Sequence, residues 1–184
     1  MYHIPVLADK SLEMLDVSPE GVYVDATYGG GGHSSLILNK LSSRGKLYAF
    51  DQDPDALKNI IDDTRLFFIQ QNFRYVNQYL HFYDALPVDG VFADLGVSSY
   101  QLDEPTKGFS YLHPEESLDM RMNNTQGKTA ADVLNTYSDE NLAEMFFKYA
   151  DLNFARKLAR EILKFRIENR FSKICHLTQL VDKF

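Results

Sequence analysis

Three carboxylates and a run of four glycines carry the chemistry of this sequence. Asp25 closes a short apolar run, and Gly29-Gly30-Gly31-Gly32 then lead into a helix-like stretch from Ser34 to Leu41. A strand, a tight turn and a helix form the unit with which an α/β sheet holds a nucleotide-like ligand. The glycines let the backbone come close, and the free N–H groups of the helix aim at the ligand. Asp51 ends the run Lys46–Phe50, twenty residues after Gly31, and Asp94 ends another strand-like run. A carboxylate at the spacing of Asp51 accepts hydrogen bonds from both hydroxyls of a ribose. Three strand ends of this kind place a ligand site at the carboxyl edge of a parallel sheet.

The glycine spacing narrows the ligand. The dinucleotide fingerprint needs Gly-x-Gly-x-x-Gly, but counting from Gly29 or Gly30 puts Ser34 or Ser35 at its last position. Nor does a Gly-Lys-Ser/Thr follow, so phosphate-loop spacing fails as well. No Arg or Lys stands near Asp51 to meet a 2′-phosphate. The pattern Asp25, Thr27, Gly29, Gly31 instead resembles the first motif of S-adenosylmethionine (SAM) methyltransferases, and an acidic site suits a sulfonium better than a pyrophosphate. Asp53 precedes Pro54 and reads as an N-cap. Asp89, at a strand start, reads as structural. Asp94 falls next to the first strand, where the reactive end of the ligand should lie. It could bind the methionine ammonium or accept a hydrogen bond from a substrate amine, and the residues leave both open.

The elements that must position these groups follow from alternating apolar runs and helical patterns. Strands are expected at Val22–Ala26, Lys46–Asp51, Leu66–Ile69 and Val88–Asp94, and helices at Lys10–Leu15, Ser34–Leu41, Pro54–Asp62 and Tyr75–Phe82. Such alternation implies βαβ units and a parallel sheet. After Asp94 the pattern gives way to a loop rich in Gly and Pro. Helices are then expected at Thr129–Leu134, Asp139–Tyr149, Asn153–Ile167 and Leu177–Lys183. In the third of these, Ala155, Leu158, Ala159, Ile162 and Leu163 make an apolar stripe, with Arg156, Arg160 and Lys164 in an i, i+4 row beside it. The division expected is a ligand-binding domain over 1–103 and a loop plus helical insert over 104–184. Only four strands are visible, and an open apolar edge on the fourth would be a liability unless helices, a partner or further chain cover it.

Composition bounds the setting. The 184 residues, 45% of them hydrophobic, suffice for one domain with a real core plus some elaboration. No apolar run approaches the roughly 18 residues that span a bilayer. The N-terminal stretch lacks signal character, and the lone Cys175 excludes a disulfide framework and a cysteine-rich zinc site. The expectation is a cytoplasmic protein with no membrane partner and no metal. Net charge is −7, yet Arg156 to Lys173 holds seven basic residues against Glu161 and Glu168. That local basic face is a candidate for a polyanionic partner, or else a solvated helix surface.

Five segments then carry a specific likeness. His3-Ile4-Pro5-Val6-Leu7, Asp25 to Ser34, Asp94-Leu95-Gly96-Val97-Ser98-Ser99-Tyr100-Gln101-Leu102-Asp103, Gly108-Phe109-Ser110-Tyr111 and Leu118-Asp119-Met120-Arg121-Met122 resemble the bacterial 16S rRNA cytosine-N4 methyltransferase family, also called the MraW family. The likeness runs in the same order from residue 3 to the end. It implies a Rossmann-like class I SAM-dependent methyltransferase fold with a helical insert after the fourth strand. The donor would be SAM, and the acceptor a cytidine exocyclic amine in the small ribosomal subunit. Carried over by position, the SAM contacts would be Gly31, Gly32, His33, Asp51, Phe73, Asp94 and Gln101. Phe73 could pack on adenine or be a core aromatic; His33 could be only a first-turn residue, and Gln101 only a polar loop residue. Asp94 is the first candidate for the proton acceptor, Tyr28 or Phe73 for shielding the site or stacking on a base, and Arg121, Arg156, Arg160 and Lys164 for holding RNA.

Two departures stand out. The run His113-Pro114-Glu115-Glu116-Ser117 replaces the family's usual Asp-Gly-Pro and is longer and more acidic. Family members also continue past the equivalent of Phe184 with strands that return to the sheet, so the expectation is a C-terminally truncated chain whose last strands are missing. Two other readings stay in play, a SAM-binding remnant without activity and a dinucleotide-dependent oxidoreductase. The residues leave the oligomeric state open, a dimer included.

Overall fold

The computed structural model describes residues 6–184; the His3-Ile4-Pro5 part of the first motif lies outside the described residues. The chain divides into two compact units, one ending at Val97 and the other spanning Ser98–Phe184.

In the first unit, four strands form one parallel sheet: β1 (Val22–Asp25), β2 (Lys46–Phe50), β3 (Leu66–Ile69) and β4 (Gly90–Phe92), in the order β3-β2-β1-β4. Each of the four falls inside its expected range. The register sets Asp25 opposite both Ala49 and Phe92, so the carboxyl ends of β2, β1 and β4 lie level. Successive side chains point to opposite faces. Tyr23 and Leu47 therefore pack with Leu12 of α1 (Ala8–Leu15) and with Ile37, Leu38 and Leu41 in and just after α2 (Gly32–Lys40). Val24, Tyr48 and Phe50 pack on the other face with Ile69 and with Leu80 of α3 (Val76–Phe82). Both faces of β1 and β2 are covered, which is why these strands read as continuous apolar runs rather than alternating ones. Among the described residues no strand pairs with the outer edge of β4, and Val91 on it is exposed.

One expected helix is different in kind. Pro54–Asp62 is a 3-10 helix over Pro54–Asn59, after which Ile60 is extended. Asp53 caps it as expected, accepting from Asp55 N at 3.0 Å. The reason it stops is tertiary. The Tyr28 hydroxyl donates to Asn59 O at 2.7 Å and accepts from Ile61 N at 3.0 Å, taking groups a continuing helix would need. Asp89 has the structural role expected of it: its carboxylate accepts from Val22 N at 2.7 Å and fastens β4 to the start of β1.

Asp63 and Arg65, beside the entry to β3, form a two-pronged ion pair, with Oδ1 on Nε at 2.9 Å and Oδ2 on Nη2 at 2.5 Å. Arg65 also donates to Leu41 O at 2.5 Å. The guanidinium lowers the Asp63 carboxyl from 3.8 to about 2. A depressed folded-state value means that the stabilisation is present above 3.8 and is lost as pH falls toward about 2. The expected result is that Asp63→Asn lowers the thermal midpoint at neutral pH and that the gap from the wild type closes below pH 3.8. Parallel melting curves across pH check it; a gap that persists at pH 2 would contradict it.

The second unit is helical: α4 (Ser99–Asp103), α5 (Ala130–Thr136), α6 (Asp139–Ala150), α7 (Ala155–Glu168) and α8 (Ile174–Val181), with a 3-10 turn at Pro105–Lys107. The stripe on α7 does what its spacing implies. Leu158, Ala159 and Ile162 are buried against Leu134, Leu142, Phe171, Ile174 and Leu180, and Ala155 is buried as well. Thr129 opens α5 with a reciprocal cap, accepting from Asp132 N at 3.0 Å while Asp132 accepts from Thr129 N at 3.1 Å. The acidic run His113–Ser117 is pinned rather than loose. Ile174 N donates to Glu116 O, Cys175 N donates to Pro114 O, and Lys173 pairs with Glu115 at 2.7 Å. Among the described residues no helix is long and apolar enough to cross a membrane.

Candidate functional site

The loop after β1 is the hub of the sheet's carboxyl edge. Asp25 is fully buried at the strand end, and burial pushes its carboxyl above the ordinary range. Two donors hold it: Ser34 Oγ, from inside α2, at 2.7 Å, and Thr27 N at 3.0 Å. These bonds tie the strand end to the helix that follows, and so set the path of the glycines between them.

Gly31 is the residue the turn cannot exchange. Its φ is +77°, and a Cβ there would lie 2.7 Å from the Tyr28 hydroxyl. It caps α2, whose first residues are Gly32 and His33. Around Gly30, by contrast, no atom lies within 4 Å of where a Cβ would sit, so that side of the loop is open. The loop thus presents backbone to open space on one side and to Tyr28 on the other.

Asp51 follows β2 and is half-buried. Its Oδ2 accepts from Gly29 N at 2.7 Å and its Oδ1 from Asp53 N at 2.8 Å. Burial pushes this carboxyl up as well, against the opposing pull of those amides. A carboxylate has about four lone-pair sites, and the amides of Gly29, Asp53 and Gln52 lie on this one, so a ligand hydroxyl can still be accepted here. Next along the edge, Asn72 Nδ2 donates to Gln52 Oε1 at 2.8 Å, and exposed Phe73 begins the 3-10 turn after β3. On the other side, Asp94 lies two residues past β4 and is exposed, its backbone N–H held by Thr27 Oγ1 at 2.7 Å.

Gly31, Gly32, His33, Asp51, Phe73 and Asp94 are therefore all at the carboxyl end of the sheet, in the unit ending at Val97. The His33 ring packs on Phe92 with centroids 4.4 Å apart, and its Nε2 lies 3.1 Å from Val6 O. Its imidazole thus has protein partners already. Tyr28 is 2% exposed and cannot stack on a base, which corrects that sequence-based expectation. Its ring is fixed against Phe68 and its hydroxyl by Asn59 and Ile61. The sequence presents Thr27 only as one member of the Asp25, Thr27, Gly29, Gly31 pattern. Nothing in the sequence marks its hydroxyl as the link to Asp94.

The other predicted residues lie in the second unit. Gln101 is buried on α4 and closes a cap with Ser98, accepting from Ser98 N at 3.0 Å while its own N donates to Ser98 Oγ at 3.2 Å. Arg121 is gripped by Asp119, with Nε to Oδ1 at 2.8 Å and Nη2 to Oδ2 at 2.7 Å. Arg156, Arg160 and Lys164 are exposed on α7, Lys164 pairing with Glu161 at 2.6 Å. Among the described residues no cluster of His, Cys, Asp or Glu could hold a metal ion.

Comparison with known proteins agrees with the motif-based likeness. A family described as the MraW methylase family matches residues 1–184. Proteins named ribosomal RNA small subunit methyltransferase H are similar along most of the chain. That of Christiangramia forsetii is 52% identical over 91% of this chain and 55% of its own length. That of Phocaeicola vulgatus is 51% identical over 90% and 54%. That of Parabacteroides distasonis is 46% identical over 100% and 60%. The chain thus spans a little over half the length of the curated relatives it matches.

Proposed function

This chain belongs to the MraW methylase family, and on that premise we propose that it serves SAM-dependent methyl transfer to the exocyclic N4 amine of a cytidine in small-subunit rRNA. One observation carries the reading. The loop after β1 binds the Asp51 carboxylate through Gly29 N and the Asp94 backbone N–H through Thr27 Oγ1, so both residues are fastened to a single backbone cradle. The cradle suits the donor chemically. It offers open backbone at Gly30 beside the acidic residues Asp51 and Asp94, with no Lys or Arg between Asp25 and Leu38, and so fits a cationic ligand without phosphates. A bound SAM would supply a methyl group activated by its sulfonium.

Within this reading the residues divide the work. Asp51 accepts the ribose hydroxyls, Phe73 offers its exposed ring to adenine, and the backbone of Gly31, Gly32 and His33 lines the donor. Asp94 accepts a hydrogen bond from the cytidine amine. That amine is a poor nucleophile because its lone pair is delocalised into the ring. A carboxylate drawing on its N–H localises the pair and takes up the proton as the new N–C bond forms. Positioning supplies the rest. Arg156, Arg160 and Lys164 would meet RNA phosphates, while Arg121, committed to Asp119, would order the loop around it.

The test is methyl transfer from labelled SAM to small ribosomal subunits that lack the modification, read by nucleoside mass spectrometry. N4-methylcytidine is the expected product. A methylated nucleoside of another kind, or SAM binding with no transfer at all, would contradict the proposal.

A further inference from the structure

We infer that Thr27 is the positioning residue of the reaction, holding the Asp94 carboxylate in place through the Asp94 backbone; this rests on the reading of Asp94 as the group that faces the substrate amine. The β1–β4 ladder ends early. Its last bond runs from Ala26 N to Phe92 O at 2.9 Å, and Ala93 to Val97 lie beyond it, all exposed. Past the ladder, the Thr27 hydroxyl accepts the Asp94 N–H at 2.7 Å and so fixes the direction in which Asp94 leaves the sheet. Thr27 is itself well anchored. Its own N–H donates to the fully buried Asp25, and the next residue, Tyr28, donates its N–H to Phe50 O at 2.9 Å. A β-branched side chain is stiff about χ1, so anchoring the Thr27 backbone also aims its oxygen. The hydroxyl carries the fixed geometry of β1 across to a segment that has left the ladder.

The same loop fastens Asp51 by a different atom, Gly29 N. Losing the Thr27 oxygen should therefore disturb the acceptor side of the site and spare the ribose side. The expected split is a fall in turnover with little change in donor affinity.

Thr27→Val keeps the shape and removes the acceptor, whereas Thr27→Ser keeps the acceptor. Thr27→Val should lower kcat about tenfold, the scale of one hydrogen bond, and leave the KM for SAM within about twofold. Hydrogen exchange at the Asp94 amide should quicken in Thr27→Val, and Thr27→Ser should restore both readouts. Wild-type kcat in Thr27→Val, unchanged exchange at Asp94, or equal damage in both variants with a raised KM would overturn the inference. If the wild type transfers no methyl group, the functional reading fails by that result alone; unchanged Asp94 exchange in Thr27→Val would still refute the tie independently.

Discussion

Asp94→Asn is expected to lower turnover by about a hundredfold or more, the usual scale for removing a positioned proton acceptor, while SAM affinity stays within a few-fold. Asparagine keeps the size of the side chain and the backbone N–H that Thr27 holds, so the segment after β4 should keep its path. What it loses is the capacity to take a proton. As the methyl group moves to N4, the S–C bond breaks, the N–C bond forms and the amine proton becomes acidic. With no carboxylate at hand, that proton must leave to solvent from a less favourable arrangement. Steady-state kinetics separate the two roles the sequence leaves open. A fall confined to kcat assigns Asp94 to the acceptor amine. Weakened SAM binding with kcat preserved would assign it to the methionine ammonium and remove the acceptor role.

Asp51→Ala should weaken SAM binding by about a hundredfold, since hydrogen bonds to a charged group contribute about 1.5–3 kcal/mol each. Part of that loss is indirect. Asp51 Oδ2 holds Gly29 N at 2.7 Å, so removing the carboxylate also frees the loop proposed to line the donor. The turn would not collapse altogether, because Tyr28 stays fixed by Asn59 and Ile61. Affinity should depend on pH in a defined direction. In the proposed binding mode ribose hydroxyls would donate to the ionised carboxylate, and burial raises the Asp51 carboxyl above its ordinary 3.8. Binding should therefore weaken as pH falls, beginning above the range of an exposed aspartate. Titration of the wild type across pH checks this, and affinity that is flat down to pH 3.8 would contradict it.

Much of the sheet's carboxyl edge was legible in the sequence because its signals are local. Asp25 at a strand end, glycines before an apolar helix, and Asp51 twenty residues after Gly31 are all consequences of one βαβ unit. The strands were legible for a related reason. Tyr23–Asp25 and Leu47–Phe50 are buried on both faces, and that burial favours largely apolar runs.

What escaped depends on contacts between distant residues. Tyr28 reads as a free aromatic next to glycines, yet its hydroxyl reaches Asn59 and Ile61, some thirty positions away, and shortens the helix expected there. The Thr27–Asp94 bond spans 67 positions and leaves no periodic trace. The short helix α4 was missed although Ser98 and Gln101 have capping-box spacing, because the surrounding Gly96 and Pro105 read as loop. On α7 the stripe was legible and its basic row is exposed; among the groups paired with Arg121, Asp119 stands two residues away, a spacing that carries no helical signal.

The most direct test of the donor site is calorimetric titration of the protein with SAM, alongside Asp51→Ala and with NADH as a competing ligand. One-site binding of SAM, loss of about a hundredfold in Asp51→Ala and no displacement by NADH are the predicted results. SAM binding that is absent, or unchanged in Asp51→Ala, would contradict the account.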